Sequence, residues 1–439
     1  MVGQKKMASE KQKIAIIGAG FTGLSAALEL ISKGCLVTIF EKEASPGGLA
    51  IGFKEKDWDW PLEKHYHHIF TSDKEIINLA SEVGVKIIFK RPKTTIYLKG
   101  GSWQLDSPIS LLTFPHLSIL NRLRTGVVLA YLRILPFWKI LEGETAVEFL
   151  KKSMGENAWK TLWEPLFKGK FGSFFDQIPA SWFWSRIKKR SASLGYPDGG
   201  FETLALKVAQ RVQNLKGKFL YQTGVVSIEK KGDQFSITTD TNKSITFDQV
   251  ISTLPTPLFI QTVKGLPRDY IESLTPLKGL GAVNLVLILK EQFLKDQTYW
   301  LNVNDLTVPF LAVVEHTNFI DHKNYDGKRL VYVGNYLPPD HHYFDKTERD
   351  LIKEFSPYLK KINHEFNEGW IEKAYLFKAK FAQPIIPLNY SKILPKLKTP
   401  FKGLYLANIQ QVYPWDRGTN YAVELGKRVA KLVLKIRHD

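Results

Sequence analysis

Apolar residues are distributed along this chain in three distinguishable patterns. The first is the short unbroken run. Ile14, Ala15, Ile16 and Ile17 lie between a lysine and a glycine, the length and composition of a strand buried on both faces. Leu24, Ala27, Leu28 and Ile31 then recur at helical spacing until Lys33 and Gly34, and residues 36–40 form a second apolar run that ends at Glu41. The second pattern is a series of runs and alternations that predict strands over 51–53, 57–60, 86–89, 94–98, 219–220, 224–229, 234–239, 244–247, 281–290 and 329–332. A hairpin turn is expected at Lys99-Gly100-Gly101, and helices over 73–83 (capped by Ser72 or Asp73), from the segment 197–204 through about Val212, and over 350–359 and 421–436. The third pattern, from Ile109 to about Gly195, is helical, aromatic and basic. There Leu120, Leu123, Val127, Tyr131 and Ile134 share one helical face, with Arg122 and Arg133 on another.

The first strand–helix–strand unit carries chemistry as well as periodicity. Gly18, Gly20 and Gly23 stand in G-x-G-x-x-G spacing at the strand-to-helix turn, with Phe21 and Thr22 opening the helix. Gly18 permits the turn, Gly20 lets backbone approach a pyrophosphate, and Gly23 lets the helix pack on the strand. The helix N-terminus offers free N–H groups and partial positive charge to phosphates. Glu41, at the end of the second strand, suits the hydroxyls of a ribose and repels a 2′-phosphate, so FAD or NAD is expected rather than NADP.

The residues that follow, Glu41-Lys42-Glu43-Ala44-Ser45-Pro46-Gly47-Gly48-Leu49-Ala50, resemble the second signature of the flavin amine oxidase superfamily, which includes protoporphyrinogen oxidases and phytoene desaturases. That resemblance favours FAD and implies further cofactor contacts. Lys42, Gly47, Gly48 and Leu49 would lie at the pyrophosphate and flavin, and Val225 at the adenine. Asn408 belongs to a segment, 403–408, similar to the family's G-L-Y-L-A-N stretch, and Gly418, Thr419 and Asn420 would face the flavin pyrimidine from the start of the last helix. Segments 197–204 and 248–255 also resemble family segments. Asp59 with His67 or His68 resembles part of the family's F-D-x-G-x-H stretch beside the flavin, which makes His67 a candidate catalytic residue. Asn284 stands where amine oxidases carry the lysine that reaches the flavin through water, and Ala379 stands where the family has a tryptophan. The departure at Asn284 weighs against amine oxidation.

Composition adjusts this picture. The chain has 439 residues and a formal charge of +18; residues 109–195 hold thirteen lysines and arginines against six acids, and six of the eleven tryptophans lie between Trp103 and Trp184. Aromatics beside cations suit a helical insertion resting on an anionic membrane surface. No run approaches the roughly 18 apolar residues of a spanning helix, and residues 1–13 lack the apolar core of a signal peptide. Cys35 is the single cysteine, which fits a reducing compartment and rules out a C-terminal cysteinyl-flavin bond. The protein is therefore expected to be cytoplasmic, with peripheral membrane contact, and to hold FAD noncovalently. His65, His67 and His68 lack an acidic or cysteine partner cluster, so no metal is expected, and nothing points to nucleic acid.

The fold class expected is α/β (α+β overall). A Rossmann-type FAD-binding lobe would be assembled from residues 1–60, 196–266 and 395–439, a mixed-sheet substrate lobe from 61–108 and 267–394, and a helical insertion from 109–195. The function expected is FAD-dependent oxidation of a large, apolar, porphyrinogen- or isoprenoid-like small molecule by hydride transfer to the flavin, with the electron acceptor open. The alternatives are an amine oxidase and a nonredox enzyme like the nucleotide-sugar mutases.

Overall fold

The structure, a computed structural model, describes residues 11–435. The polar start of the chain and the end of the last helix at Ile436 lie outside them. Five parallel strands form the sheet on which the glycine turn is built, in the order Lys218–Leu220, Leu36–Phe40, Lys13–Ile17, Gln249–Ser252, Leu404–Leu406. They are short and apolar because both faces are covered. Helix Phe21–Ser32 packs between Gly200–Asn214 and the C-terminal helix Thr419–Lys435. Two backbones approach closely where Gly426 faces the first helix: a Cβ there would overlap the carbonyl oxygen of Thr22.

A seven-stranded mixed sheet stands beside this layer, with Gly279–Leu289 next to its edge strand, between Ile371–Pro384 and Arg329–Leu337. Gly279–Leu289 is buried along almost its whole length, as a continuous apolar strand should be. A three-stranded antiparallel sheet over 225–247, a short pair of Gly52–Phe53 with Leu62–Glu63, a small sheet in which Leu194–Pro197 lies between Ile69–Phe70 and Ile87–Lys90, and the helical insertion are added to these layers. The insertion opens with Pro108–Leu112 and Ile119–Ile134, whose N-cap Ser118 accepts the Asn121 N–H, and continues through Ala146–Met154, capped by the reciprocal Thr145–Glu148 pair.

Two local expectations differ. Residues 57–60 form turns rather than a strand, because Trp58 is drawn into the core against Tyr325. Asp73 stands at the N-cap of helix Lys74–Glu82, but its side chain makes no capping bond. The Asp73 carboxylate accepts the Phe70 N–H at 2.8 Å, and Asn420 accepts from the N–H groups of Glu75 and Ile76 at 2.9 and 3.2 Å.

One buried acid has a consequence for stability. Glu63 is fully enclosed, accepting from the Tyr196 hydroxyl at 2.8 and 2.9 Å and from the Phe201 N–H at 2.8 Å. Burial pushes its pKa up to about 7. A raised carboxylate pKa means the folded state holds the proton more tightly than the unfolded chain. The associated stability is present below the unfolded value near 4.5 and is lost as pH rises through 7, amounting to about 3 kcal/mol. Glu63→Gln removes this dependence. The melting temperature of the variant relative to the parent should rise from pH 5 to about pH 7 and level off above it, and a constant difference across that range would show that Glu63 does not titrate there.

Candidate active site

The site begins at two facing glycine turns. Between the first strand and first helix, Gly18 adopts φ +102°, which only glycine takes readily, and Gly20 occupies the N-cap position of Phe21–Ser32. Opposite it, Gly47 and Gly48 take φ +134° and +60°. The Gly47 N–H donates to the Ala19 carbonyl at 3.0 Å, and Gly20 and Gly47 bridge as parallel backbone. A Cβ on Gly20 would come no nearer than 3.7 Å to the Gly48 Cα, so the space above Gly20 is open cavity rather than packing. Gly23 differs: a Cβ there would overlap the Gly18 carbonyl oxygen and press on Ile16. It serves helix–strand packing, and it does not line the cavity.

Glu41 is buried at the edge of this cradle and does more than the sequence suggests. Its Oε2 accepts the Ala19 N–H at 2.7 Å and its Oε1 the Glu43 N–H at 3.0 Å. Each oxygen keeps a lone pair free for a ribose hydroxyl, and the carboxylate braces the glycine turn as well.

The cradle opens into one cavity of ≈ 950 Å³. Its walls gather Phe21, Thr22, Lys42, Leu49, His67, Val225, Asn408, Gly418 and Thr419, together with Gly18, Gly20, Glu41, Gly47 and Gly48. Asn408 reaches the wall with its amide committed: it donates to the Leu254 carbonyl and Thr256 Oγ1, both at 3.0 Å, and accepts the Gln410 N–H. Gly418 and Thr419 present the N-terminus of a seventeen-residue helix to the cavity, a favourable setting for negative charge. Asn420 is outside it, consumed in capping the helix at 74–82.

Asn284 is also outside the wall. It lies on the strand Gly279–Leu289 of the mixed sheet, and its Nδ2 sits 2.6 Å from His65 Nδ1. It therefore fixes the ring of a cavity residue rather than meeting a cofactor or substrate itself. His67 Nδ1 contacts the His65 carbonyl at 2.6 Å, and its ring packs against Phe201. The rings of His65, His67 and His68 open onto the cavity yet sit deep within the protein. Burial pulls their pKa values down to about 3, 4 and 3, so all three are neutral at physiological pH. The segment that holds them, 64–68, is irregular rather than a strand, so His65 and His67 do not share a strand face.

The other end of the cavity is walled by residues the sequence reading placed elsewhere or did not single out. Tyr66, Trp300 and Tyr336 supply aromatic surface, with the Trp300 indole N–H held by Asn302 Oδ1 at 2.9 Å. Lys170 and Arg186, two of the insertion's thirteen cations, point inward to Asp416 rather than toward a membrane surface. Trp182 and Trp184, from the same insertion, are buried: Trp182 donates to Asp416 at 3.2 Å and Trp184 to the Leu135 carbonyl at 2.9 Å. A signal for this arrangement existed. Asp416-Arg417 directly precedes the glycine that opens the last helix, and two opposite charges at such a position seldom stand idle.

A bare-backbone cradle at a helix N-terminus, a carboxylate at the end of the second strand, and a long cavity leading to a second helix N-terminus fit an extended dinucleotide whose far end carries the reactive ring. The fold and site thus define a flavoprotein oxidoreductase that holds FAD. The chain belongs to the family of flavin containing amine oxidoreductases, whose model matches residues 21–434. It is 22% identical to the flavin-containing amine oxidase A of Equus caballus, across 99% of this chain and 87% of that protein. It is 24% identical to coproporphyrinogen III oxidase of Staphylococcus aureus, across 60% of this chain and 65% of that one. Among solved structures, reduced UDP-galactopyranose mutase superposes with a TM-score of 0.78 at 16% identity, covering 97% of this chain and 96% of the other. At that identity the likeness is one of fold.

Cys35, the chain's one cysteine, is buried at the start of the second strand and does not line the cavity. Acid denaturation is accordingly expected to release all flavin colour into the supernatant. Colour that stays with the precipitated chain would contradict a noncovalent cofactor.

Proposed function

We propose that this protein oxidises a large small-molecule substrate of mostly apolar body, held against FAD in the inner chamber of the cavity. FAD supplies the hydride acceptor at its N5 position. The observation that carries the reading is the continuity of the cavity, which runs from the glycine cradle into a chamber walled by Tyr66, Leu166, Trp300, Leu311 and Val412. These side chains exclude water and hold apolar surface. His65, kept neutral and oriented by Asn284, accepts the Asn284 amide at Nδ1 and so is able to donate a hydrogen bond from Nε2–H at the chamber wall. The N-terminus of the last helix favours negative charge beside Gly418 and Thr419.

Oxidation of an amine fits the chamber less well. Lys170, Arg186 and Arg417 outnumber Asp416, and an ammonium substrate would meet net repulsion. The same cations lend weight to a second reading, a nonredox reaction of a phosphorylated substrate. Candidate compounds mixed with the protein under anaerobic conditions separate the readings. Bleaching of the oxidised flavin supports oxidation, whereas turnover only by pre-reduced protein, with no net redox change, supports the second. Bleaching by simple amines alone would overturn both.

We further propose that the helical insertion rests on an anionic bilayer, from which a lipid-soluble substrate would enter. Its support is the outward face of Ile119–Ile134. Leu120, Leu123, Val127, Tyr131 and Ile134 are all exposed there, flanked by exposed Ile109, Leu112, Phe137 and Ile140. Arg122, Arg124 and Arg133 around it donate to main-chain carbonyls, and their charges stay available to lipid headgroups. No helix among the described residues is long and apolar enough to cross a membrane.

A further inference from the structure

The insertion contributes two cations to the cavity wall, and they converge on one acid. Lys170, on the helix Glu164–Phe171, places Nζ 3.5 Å from Asp416 Oδ2. Arg186, on Ala180–Lys189, places Nη1 2.5 Å from the same oxygen. Arg417 follows Asp416 in sequence. Its Nε donates to Gln383 Oε1 at 2.7 Å, and its guanidinium also donates to the Tyr336 hydroxyl and lies over that ring. Lys170 and Arg186 thus share one carboxylate oxygen, the Arg417 guanidinium adds a third charge nearby, and the other oxygen accepts from the Trp182 indole at 3.2 Å and the Arg417 main-chain N–H at 3.1 Å.

Lys170 is nearly inaccessible, with an 8% exposed side chain wedged against the faces of Trp182 and Tyr336 at 5.1 and 5.6 Å. Burial and the two neighbouring arginines pull its pKa well below the usual lysine range, while the same cations keep Asp416 ionised. A buried amine that shares its counter-ion with an arginine is costly to charge unless a further anion joins it. Lys189 and Arg190 line the cavity too and add to the positive potential.

We propose that the pocket between Lys170, Arg186 and Arg417 binds an oxyanion of the substrate, a carboxylate or a phosphate, and so anchors one end of a molecule whose apolar body lies in the chamber. This rests on the flavoenzyme reading, since the anchor is meaningful only if a reacting atom is thereby set beside the flavin. Arg186 and Arg417 offer N–H pairs suited to two-oxygen contacts, and Lys170 a single strong donor. Asp416 holds the cations apart and competes with the ligand, so it sets selectivity against weak anions such as chloride.

The test uses the FAD-loaded protein at low ionic strength. It is titrated separately with glutarate and with inorganic pyrophosphate, with chloride as control, and read by perturbation of the flavin spectrum and by thermal shift. Saturable binding of one or both is expected, and the preferred anion tells carboxylate from phosphate. Lys170→Met and Arg186→Gln should each weaken that binding by about tenfold or more, with flavin occupancy unchanged. Asp416→Asn should tighten it by removing the competing charge. The proposal is overturned if neither anion binds, if binding survives both cation substitutions, or if those substitutions instead strip the flavin, which would assign the cations to the cofactor. Parent protein that purifies without flavin would defeat the flavoenzyme reading itself, a result distinguishable at the first step.

Discussion

Gly20→Val is expected to purify as a folded, colourless protein, whereas Gly23→Val is expected not to yield a folded one. Two glycines of the same turn differ because their missing side chains would meet different things. Above Gly20 lies open cavity, with the Gly48 Cα no nearer than 3.7 Å to an added Cβ. Gly20 has φ −70° and ψ 173°, a conformation valine adopts without strain. Fold stability should fall by only about 1 kcal/mol, the loss of a tolerable N-cap residue. The branched methyl groups would instead fill the space in which backbone N–H groups must reach a pyrophosphate, and flavin occupancy should fall to near zero. At Gly23 an added Cβ would strike the Gly18 carbonyl, which cannot move without displacing the first strand. Backbone overlap in the core costs on the order of 4 kcal/mol or more, enough to unfold many domains. The ratio of flavin to protein absorbance, with melting temperature and circular dichroism, decides both. A Gly20→Val protein that keeps its full complement of FAD would remove the dinucleotide assignment.

The cradle was readable from sequence because its requirements are local. A strand run, three glycines, a helical repeat and Glu41 all lie within some thirty residues, and each constraint acts on its own neighbours. The strand at 279–289 was legible for a similar reason, since one continuous apolar run reports its own burial. The rest of the site depends on pairs far apart in the chain. Asn284 was expected at the flavin, but its partner is His65, more than two hundred residues away, and nothing in either segment announces the other. Asn420 was expected at the flavin and instead caps a helix at 74–82, because a turn N-terminus needs an acceptor and this amide is the one that arrives. In the insertion, periodicity gave the helical face but not its direction. A stripe of leucine, valine and isoleucine looks the same whether it meets a core or solvent. Trp182 and Trp184, part of the aromatic and cationic composition expected to meet a membrane, turn inward, and the aliphatic stripe turns outward.

That reversal decides which residues to change in testing membrane association. The parent protein is expected to cosediment with anionic liposomes, with salt weakening the binding but not abolishing it. Cations near an anionic surface contribute about 1 kcal/mol each, an effect that fades within a Debye length of about 8 Å at physiological salt. Inserted apolar side chains contribute about 1.5–3 kcal/mol each and are not screened. The salt-resistant part should therefore reside in the stripe of Ile119–Ile134, where Ile134 is 75% exposed and Val127 69%. Leu120→Ser, Val127→Ser and Ile134→Ser combined should remove most of it while leaving flavin content and melting temperature close to the parent, because these side chains meet solvent rather than core. Exchanging Trp182 and Trp184 for serine should do something different. Each fills core space and each indole N–H has a partner, so each loss should cost about 3–5 kcal/mol of stability and lower the yield of folded protein. Arg122→Gln with Arg133→Gln should lower binding at low salt and leave the salt-resistant fraction intact. If the parent stays in the supernatant at low salt, or the triple serine variant sediments as the parent does, the stripe is not a membrane surface and the substrate reaches the cavity from water.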